Sequence, residues 1–173
     1  MTLMQYSIVK AEVKDLKALQ AFARHTFADT YEQYNTAENM RYYHEVVFSD
    51  TGFENDLLGT ASEYYIARED EKIAGYMKLN IDADKDGPGG MELERIYVSK
   101  EQKGRGVGKA LLQKAAEAGK AYGKRYLWLG VWERNNAALG FYQKQGFEPF
   151  GTHMFMLGTD AQQDILMKKS LRP

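Results

Sequence analysis

The chain has 173 residues, a net charge of −1, 44% apolar and 13% aromatic content, and no cysteine. This size and apolar share fit one globular domain over residues 1–173. Without cysteine there is no disulfide, thiolate metal site or cysteine nucleophile, and the balanced charge argues against a direct nucleic-acid partner. Met1 to Lys10 holds no sustained apolar run, and charges recur too often for a membrane span of roughly 20 residues. The expected compartment is therefore the cytoplasm. His25, His44 and His153 are scattered without ligand spacing, so no metal is expected.

In chain order, Tyr6 to Lys10 reads as a short strand. From Asp15, Leu16, Leu19, Ala23 and Phe27 recur at helical spacing. A looser helix is predicted from near Glu38 to Val47, and another short turn from Phe53 to Leu58. Glu63 to Arg68 and Ile73 to Ile81 read as a hairpin turning through Glu69 to Lys72. Asp82 to Gly90 is acidic and glycine-rich with Pro88, hence a loop. Met91 to Val98 is the next strand, and Lys103 to Gly108 a glycine-rich turn. The helix that follows carries Val107, Leu111, Ala115, Ala118 and Tyr122 on one face and stops at Gly123. Tyr126 to Trp132 reads as a buried strand. Asn135 or Asn136 caps a short helix that Gly146 ends. Phe147 to Met156 and Asp164 to Lys168 are closing strands, and an exposed late strand could pair two copies into a homodimer. This order predicts an α/β (α+β) domain, with a mixed, mostly antiparallel central sheet flanked by helices.

Gly104, Gly106 and Gly108 alternate between a strand and a helix. Missing side chains let backbone N–H groups approach an anion, and the helix N-terminus adds partial positive charge. A diphosphate suits such a turn, with Lys103, Arg105 and Lys109 beside it. Two other phosphate loops fail here. The dinucleotide pattern from Gly104 needs glycine where Lys109 stands. The Walker pattern needs Ser or Thr at Ala110 and glycine at Lys103. A plain flexible turn stays open on these three glycines alone.

A second segment follows the next strand: Asn135-x-x-Ala138-x-x-Phe141-Tyr142-x-x-x-Gly146-Phe147. Together the two resemble motifs A and B of the GNAT acetyltransferases across Met91 to Phe147. The resemblance implies acetyl-CoA as acetyl donor, its pyrophosphate on Lys103 to Lys109, including Val107. It implies pantetheine paired to the backbone of Ile96, Tyr97 and Val98, with Asn135 and Ala138 facing that arm. The family often has Arg or Gln at the first loop position, where this chain has Lys103; contacts made by the backbone survive that change. Glu94 to Val98, Trp128 to Asn135 and Gln163 to Lys168 resemble bacterial PaiA-type polyamine N-acetyltransferases, and Asn35 to Met40 and Gly75 to Asn80 fit the same pattern. This implies spermidine or spermine as acceptor. Acetylation of a protein or peptide amine, or an acyl-CoA-binding regulator with little turnover, are the alternatives.

The chemistry needs a proton acceptor, because an alkyl amine with pKa near ~10.4 arrives charged. Glu94, four residues before Val98, sits where family members often carry a base glutamate. Glu92 is its rival: strand alternation puts Glu92, Glu94, Ile96 and Val98 on one face, and a bulge near Tyr97 would re-aim side chains. Both could instead be surface ion-pair partners. The leaving thiolate needs a proton, and Tyr142 is the expected donor. Its alternative is a core aromatic beside Phe141, disfavoured because adjacent helix positions point about 100° apart. On the acceptor side, Asp29, Tyr31 and Glu32 form an acidic–aromatic cluster, and Trp132 and Glu133 end the fifth strand. Carboxylates and aromatic faces together suit an ammonium ligand.

Overall fold

The computed structural model describes residues 6–172. Met1 to Gln5, half of the segment read as free of a leader, and Pro173 lie outside the described residues. Seven strands form one sheet in the order β1-β2-β3-β4-β5-β7-β6: β1 (Ser7–Lys10), β2 (Ser62–Glu69), β3 (Lys72–Asn80), β4 (Gly90–Val98), β5 (Tyr126–Trp132), β6 (Glu148–Leu157) and β7 (Asp160–Ser170). All pairings are antiparallel except β4 with β5. The last strand therefore starts four residues earlier than its apolar run predicts. The turn is Gly158–Thr159, and Asn39 receives the Thr159 N–H, tying the hairpin to a helix far back in the chain.

Helices cover both faces. On one lie α1 (Leu16–Tyr31), α2 (Ala37–Tyr42) and α3 (Asp50–Leu58), with a π turn at Tyr43–Val47 between the last two. Thr36 and Ser49 cap α2 and α3 by accepting the Asn39 and Gly52 N–H groups. The stripe read from α1 is buried: Leu19, Ala23 and Phe27 pack with Phe48, Phe53, Tyr64 and Tyr76. On the other face lie α4 (Val107–Ala121) and α5 (Asn136–Lys144). Val107, Leu111, Ala115 and Ala118 pack there against Met77, Leu79, Met91 and Leu93. Truncating a fully buried leucine such as Leu111 to alanine is worth about 2–5 kcal/mol. Tyr122 departs from the predicted stripe. Its ring is about half exposed, and its hydroxyl reaches the buried carboxylate of Glu63 on β2.

Two irregularities make the site. β4 and β5 pair only from Gly90 to Glu92, opposite Tyr126 to Trp128, and then diverge. The β5-facing backbone edge of Leu93 to Val98 is left without a strand partner. The second is a bulge in β4. Lys78 pairs with Arg95 but Leu79 with Leu93, so Glu94 is the extra residue. It lies three residues before the expected position at Tyr97, and it corrects the predicted alternation. Met91 and Leu93 face the α4 core, as do Ile96 and Val98, while Tyr97 joins the α1 side. Glu92 and Glu94 therefore do not share a face with Ile96 and Val98.

Candidate active site

The divergence of β4 and β5 opens a cleft of about 560 Å³. Its walls include Ile96, Tyr97 and Val98 of β4, Leu129 to Trp132 of β5, and Asn135, Ala138, Phe141 and Tyr142 at the start of and within α5. At its far end stand Lys103, Gly104, Gly106, Val107, Gly108 and Lys109. The glycines of this turn have different tasks. Gly104 and Gly106 hold φ of 79° and 88°, left-handed backbone that side-chain-bearing residues rarely adopt, and open space lies where their Cβ would stand. Gly108 instead gives room for Phe141, whose Cζ would be 3.3 Å from an added Cβ. Gly106 is the N-cap of α4, so the N–H groups of Val107, Gly108 and Lys109 belong to a first turn that has no helical acceptors. Together with Lys100, Lys103 and Lys109 lining the cleft, they fit a diphosphate. Arg105 belongs to the same turn but is not part of the cleft wall. Asn135 combines two positions: its side chain accepts the Ala138 N–H at 3.2 Å as the cap of α5, and it lines the cleft.

Tyr142 is a cleft residue and a core residue at once. Its ring is buried, with Phe141 and Phe147 rings 5.4 and 5.7 Å away. Phe141 and Tyr142 pack against the same cluster, so the argument that neighbours on a helix cannot share a core fails in this short helix. Burial, with a smaller contribution from Tyr31, holds the Tyr142 phenol well above its usual range, so it stays protonated.

A second cavity, about 400 Å³, adjoins the cleft on the α1 side of the sheet. The two share Tyr31, Glu94, Arg95, Tyr97 and Gly130, so a group in one can meet a group in the other. Glu92 lines the second cavity only. Burial pushes its carboxyl up, while a hydrogen bond from Asn80 Nδ2 at 2.9 Å works the other way. Glu94 borders both. Lys78 Nζ lies 3.0 Å and Arg95 Nε 3.5 Å from its Oε2, and Asn80 Nδ2 lies 3.4 Å from Oε1. Asn80 thus bridges the two glutamates. Burial also holds the phenols of Tyr31 and Tyr43 neutral, Tyr43 being pushed up to about 12.

The other acceptor-side expectations divide. Tyr31 sits between Phe27, Trp132 and Phe155, with centroids 4.6, 5.7 and 6.4 Å away. Trp132 is buried and lines the cleft. Asp29 lines the cleft too, already paired with Lys100 at 3.4 Å and beside His25 at 3.5 Å. Glu32 is exposed and borders a separate hollow with Arg24 and His44. Glu133 is exposed, its carboxylate 3.4 Å from Gln163 Nε2, and lines neither cavity. The geometry therefore does not join Glu32 and Glu133 to Tyr31 and Trp132. Sequence reasoning missed Asp164, which lines the second cavity from β7. Its signal was a carboxylate sharing a strand face with Leu166, the same oddity that singled out Glu92.

Among the described residues no helix is long and apolar enough to cross a membrane, and no three metal-binding side chains cluster. The model of the Acetyltransferase (GNAT) family matches residues 19–147. An uncharacterized N-acetyltransferase in the pepI 3′ region of Lactobacillus delbrueckii subsp. lactis is 40% identical over 167 residues, covering 95% of this chain and 96% of that one. A spermidine N(1)-acetyltransferase of Thermoplasma acidophilum is 28% identical over 170 residues, covering 96% and 98%. The crystal structure of PaiA N-acetyltransferase from Thermoplasma acidophilum in complex with coenzyme A superposes with a TM-score of 0.79 at 25% identity, covering 96% and 99%. With its split sheet and glycine turn, the chain belongs to the GNAT family and is an N-acetyltransferase that uses acetyl-CoA.

Proposed function

We propose that the acceptor is a small cationic amine, with polyamines such as spermidine and spermine preferred. The observation that carries this reading is the second cavity, where Glu92 and Glu94 meet the aromatic faces of Tyr31, Tyr43 and Trp128, open to the donor cleft. With the cavity's cations already engaged, Arg95 by Glu94 and Lys85 by the Trp128 ring, such a wall favours an alkylammonium over a neutral or anionic acceptor. The similarity to the spermidine N(1)-acetyltransferase of Thermoplasma acidophilum supports the same choice.

Acetyl-CoA supplies the thioester. The residues of this chain do the rest. The free edge of β4 at Ile96 to Val98 aligns an extended arm by backbone hydrogen bonds, and the first turn of α4 holds the diphosphate. Glu94, backed by Glu92 through Asn80, takes the ammonium proton directly or through water. Tyr142 gives its phenolic proton to the leaving sulfur. Asp29, Glu32 and Glu133 contribute at most to distal charges of a long acceptor. These contacts are exposed or already paired, so each is worth only about 0.5–1 kcal/mol.

Initial rates on spermidine, spermine, a monoamine, a lysine peptide and an aminoglycoside, at two ionic strengths, test the acceptor. Polyamines are expected to lead the monoamine by about one to two orders of magnitude in kcat/KM, at about 1.4 kcal/mol per tenfold. High salt should narrow that lead, because the Debye length falls to about 3 Å at 1 M. Preference for the peptide or the aminoglycoside, or a salt-independent lead, counts against the polyamine assignment.

The donor side has its own test. Acetyl-CoA at 100 times its dissociation constant should stabilise the parent protein by about 2.7 kcal/mol. Gly106→Leu should lose that shift. The left-handed backbone there strains any side chain, which would shift the cap that sets the first turn of α4. A full melting shift in the variant would place the diphosphate elsewhere.

A further inference from the structure

The second cavity has a third carboxylate besides the two glutamates. Asp164 of β7 pairs in register with Trp132 of β5 on one side and His153 of β6 on the other. It is partly buried and faces the cavity. Of the three carboxylates around that space, Glu94 is held by Lys78, Arg95 and Asn80, and Glu92 by Asn80. The Asp164 carboxylate makes no hydrogen bond or ion pair among the described residues. The charged and titratable groups that face it do not supply one. His153 acts on it only as a charge from the neighbouring strand. Arg95 is committed to Glu94, Lys85 lies over the Trp128 ring, and Tyr31 and Tyr43 stay neutral.

Diagonally across from it, two residues before its register partner Trp132, β5 has Gly130. A Cβ at Gly130 would lie 3.2 Å from Asp164 Oδ2. Any larger residue there would crowd the carboxylate, whereas glycine leaves it open. Gly130 lines the donor cleft as well, so Asp164, in the second cavity, lies beside a residue that borders both spaces.

A partly desolvated carboxylate without a partner raises the energy of the empty site. An ammonium removes that penalty, and an uncharged group of the same shape leaves it in place. Building on the amine-acetyltransferase reading above, we propose that Asp164 determines acceptor specificity by accepting hydrogen bonds from the acceptor's reacting ammonium group. The ammonium is then held between Asp164 and the Glu92–Glu94 pair, which faces it from β4. Burial, offset in part by His153, raises the Asp164 carboxyl to about 6, so the charge that binds an ammonium is present above that pH and lost below it.

Steady-state kinetics on the full chain test this, with spermidine as acceptor, saturating acetyl-CoA, and KM and kcat read separately across pH. Asp164→Asn is expected to raise the spermidine KM by roughly ten- to a hundredfold, the range of a hydrogen bond to a charged group. Acetyl-CoA affinity and melting temperature should stay near those of the parent, and Asp164→Glu, which keeps the charge, should recover part of the loss. The parent KM should worsen as pH falls through about 6, and Asp164→Asn should flatten that limb to what Glu92 contributes. A spermidine KM within twofold of the parent, or an acid limb of KM as deep in Asp164→Asn as in the parent, would overturn the assignment. Failure of the parent protein to acetylate any amine is a different outcome: it appears before any variant is made, and it removes the acceptor reading together with this one.

Discussion

Tyr142→Phe is expected to lower kcat by roughly 10²–10⁴-fold while leaving acetyl-CoA binding within a few-fold. The ring that packs on Phe141 and Phe147 remains, so the fold and the cleft wall remain. Only the proton donor goes. A phenol held above its usual range is a weaker acid than free tyrosine, but a dry cleft also penalises the departing thiolate, so the two pKa values rise together. Because burial keeps the phenol protonated, no alkaline loss of activity below about pH 10 should trace to Tyr142. Pre-steady-state rates and acetyl-CoA titration on the variant check this. An unchanged kcat would leave Tyr142 a core aromatic.

The second large effect concerns the bulged strand. Glu94→Gln should slow transfer by about 10²-fold near neutral pH and recover as pH climbs toward the ~10.4 of the free amine, where solvent takes over deprotonation. Glu92→Gln should cost less, because Glu92 lines only the acceptor cavity whereas Glu94 borders the donor cleft too. Glutamine keeps an oxygen for Lys78, which Asp56 also holds at 2.9 Å, so loss of fold is not the expected cause. Burial raises the Glu92 carboxyl, so the charged form of Glu92 that backs Glu94 through Asn80 is lost as pH falls. A pH–rate series on both variants decides the order, and a larger loss in Glu92→Gln would move the base to that residue.

The helical stripes, the hairpin and the glycine turn were legible because each is local: spacing, a turn composition, or a missing side chain at three alternating positions. The bulge at Glu94 left a trace that alternation alone misread. Met91 and Leu93 are core-facing at odd numbers and Ile96 and Val98 at even ones, and that slip of phase between 93 and 96 marks an inserted residue. Tyr142 and Asn135 were reachable from motif spacing, and Asn135 also from capping chemistry. Glu32 and Glu133 were not separable from the site by sequence, since whether an acidic residue near a helix or strand end faces a cavity depends on how that end is turned. Asp164 was hidden for a further reason. Its significance comes from what is missing around it among the described residues, a side chain at Gly130 and a hydrogen-bond or ion-pair partner for the carboxylate, and both absences are set by strands that are distant in sequence.

The most direct test of the account follows both products of one reaction: free thiol from acetyl-CoA, and acetylated spermidine by mass spectrometry. Thiol release is expected to depend on the amine and to match the acetylated amine mole for mole. Thiol release without an acetylated amine, or none with any amine, would contradict it.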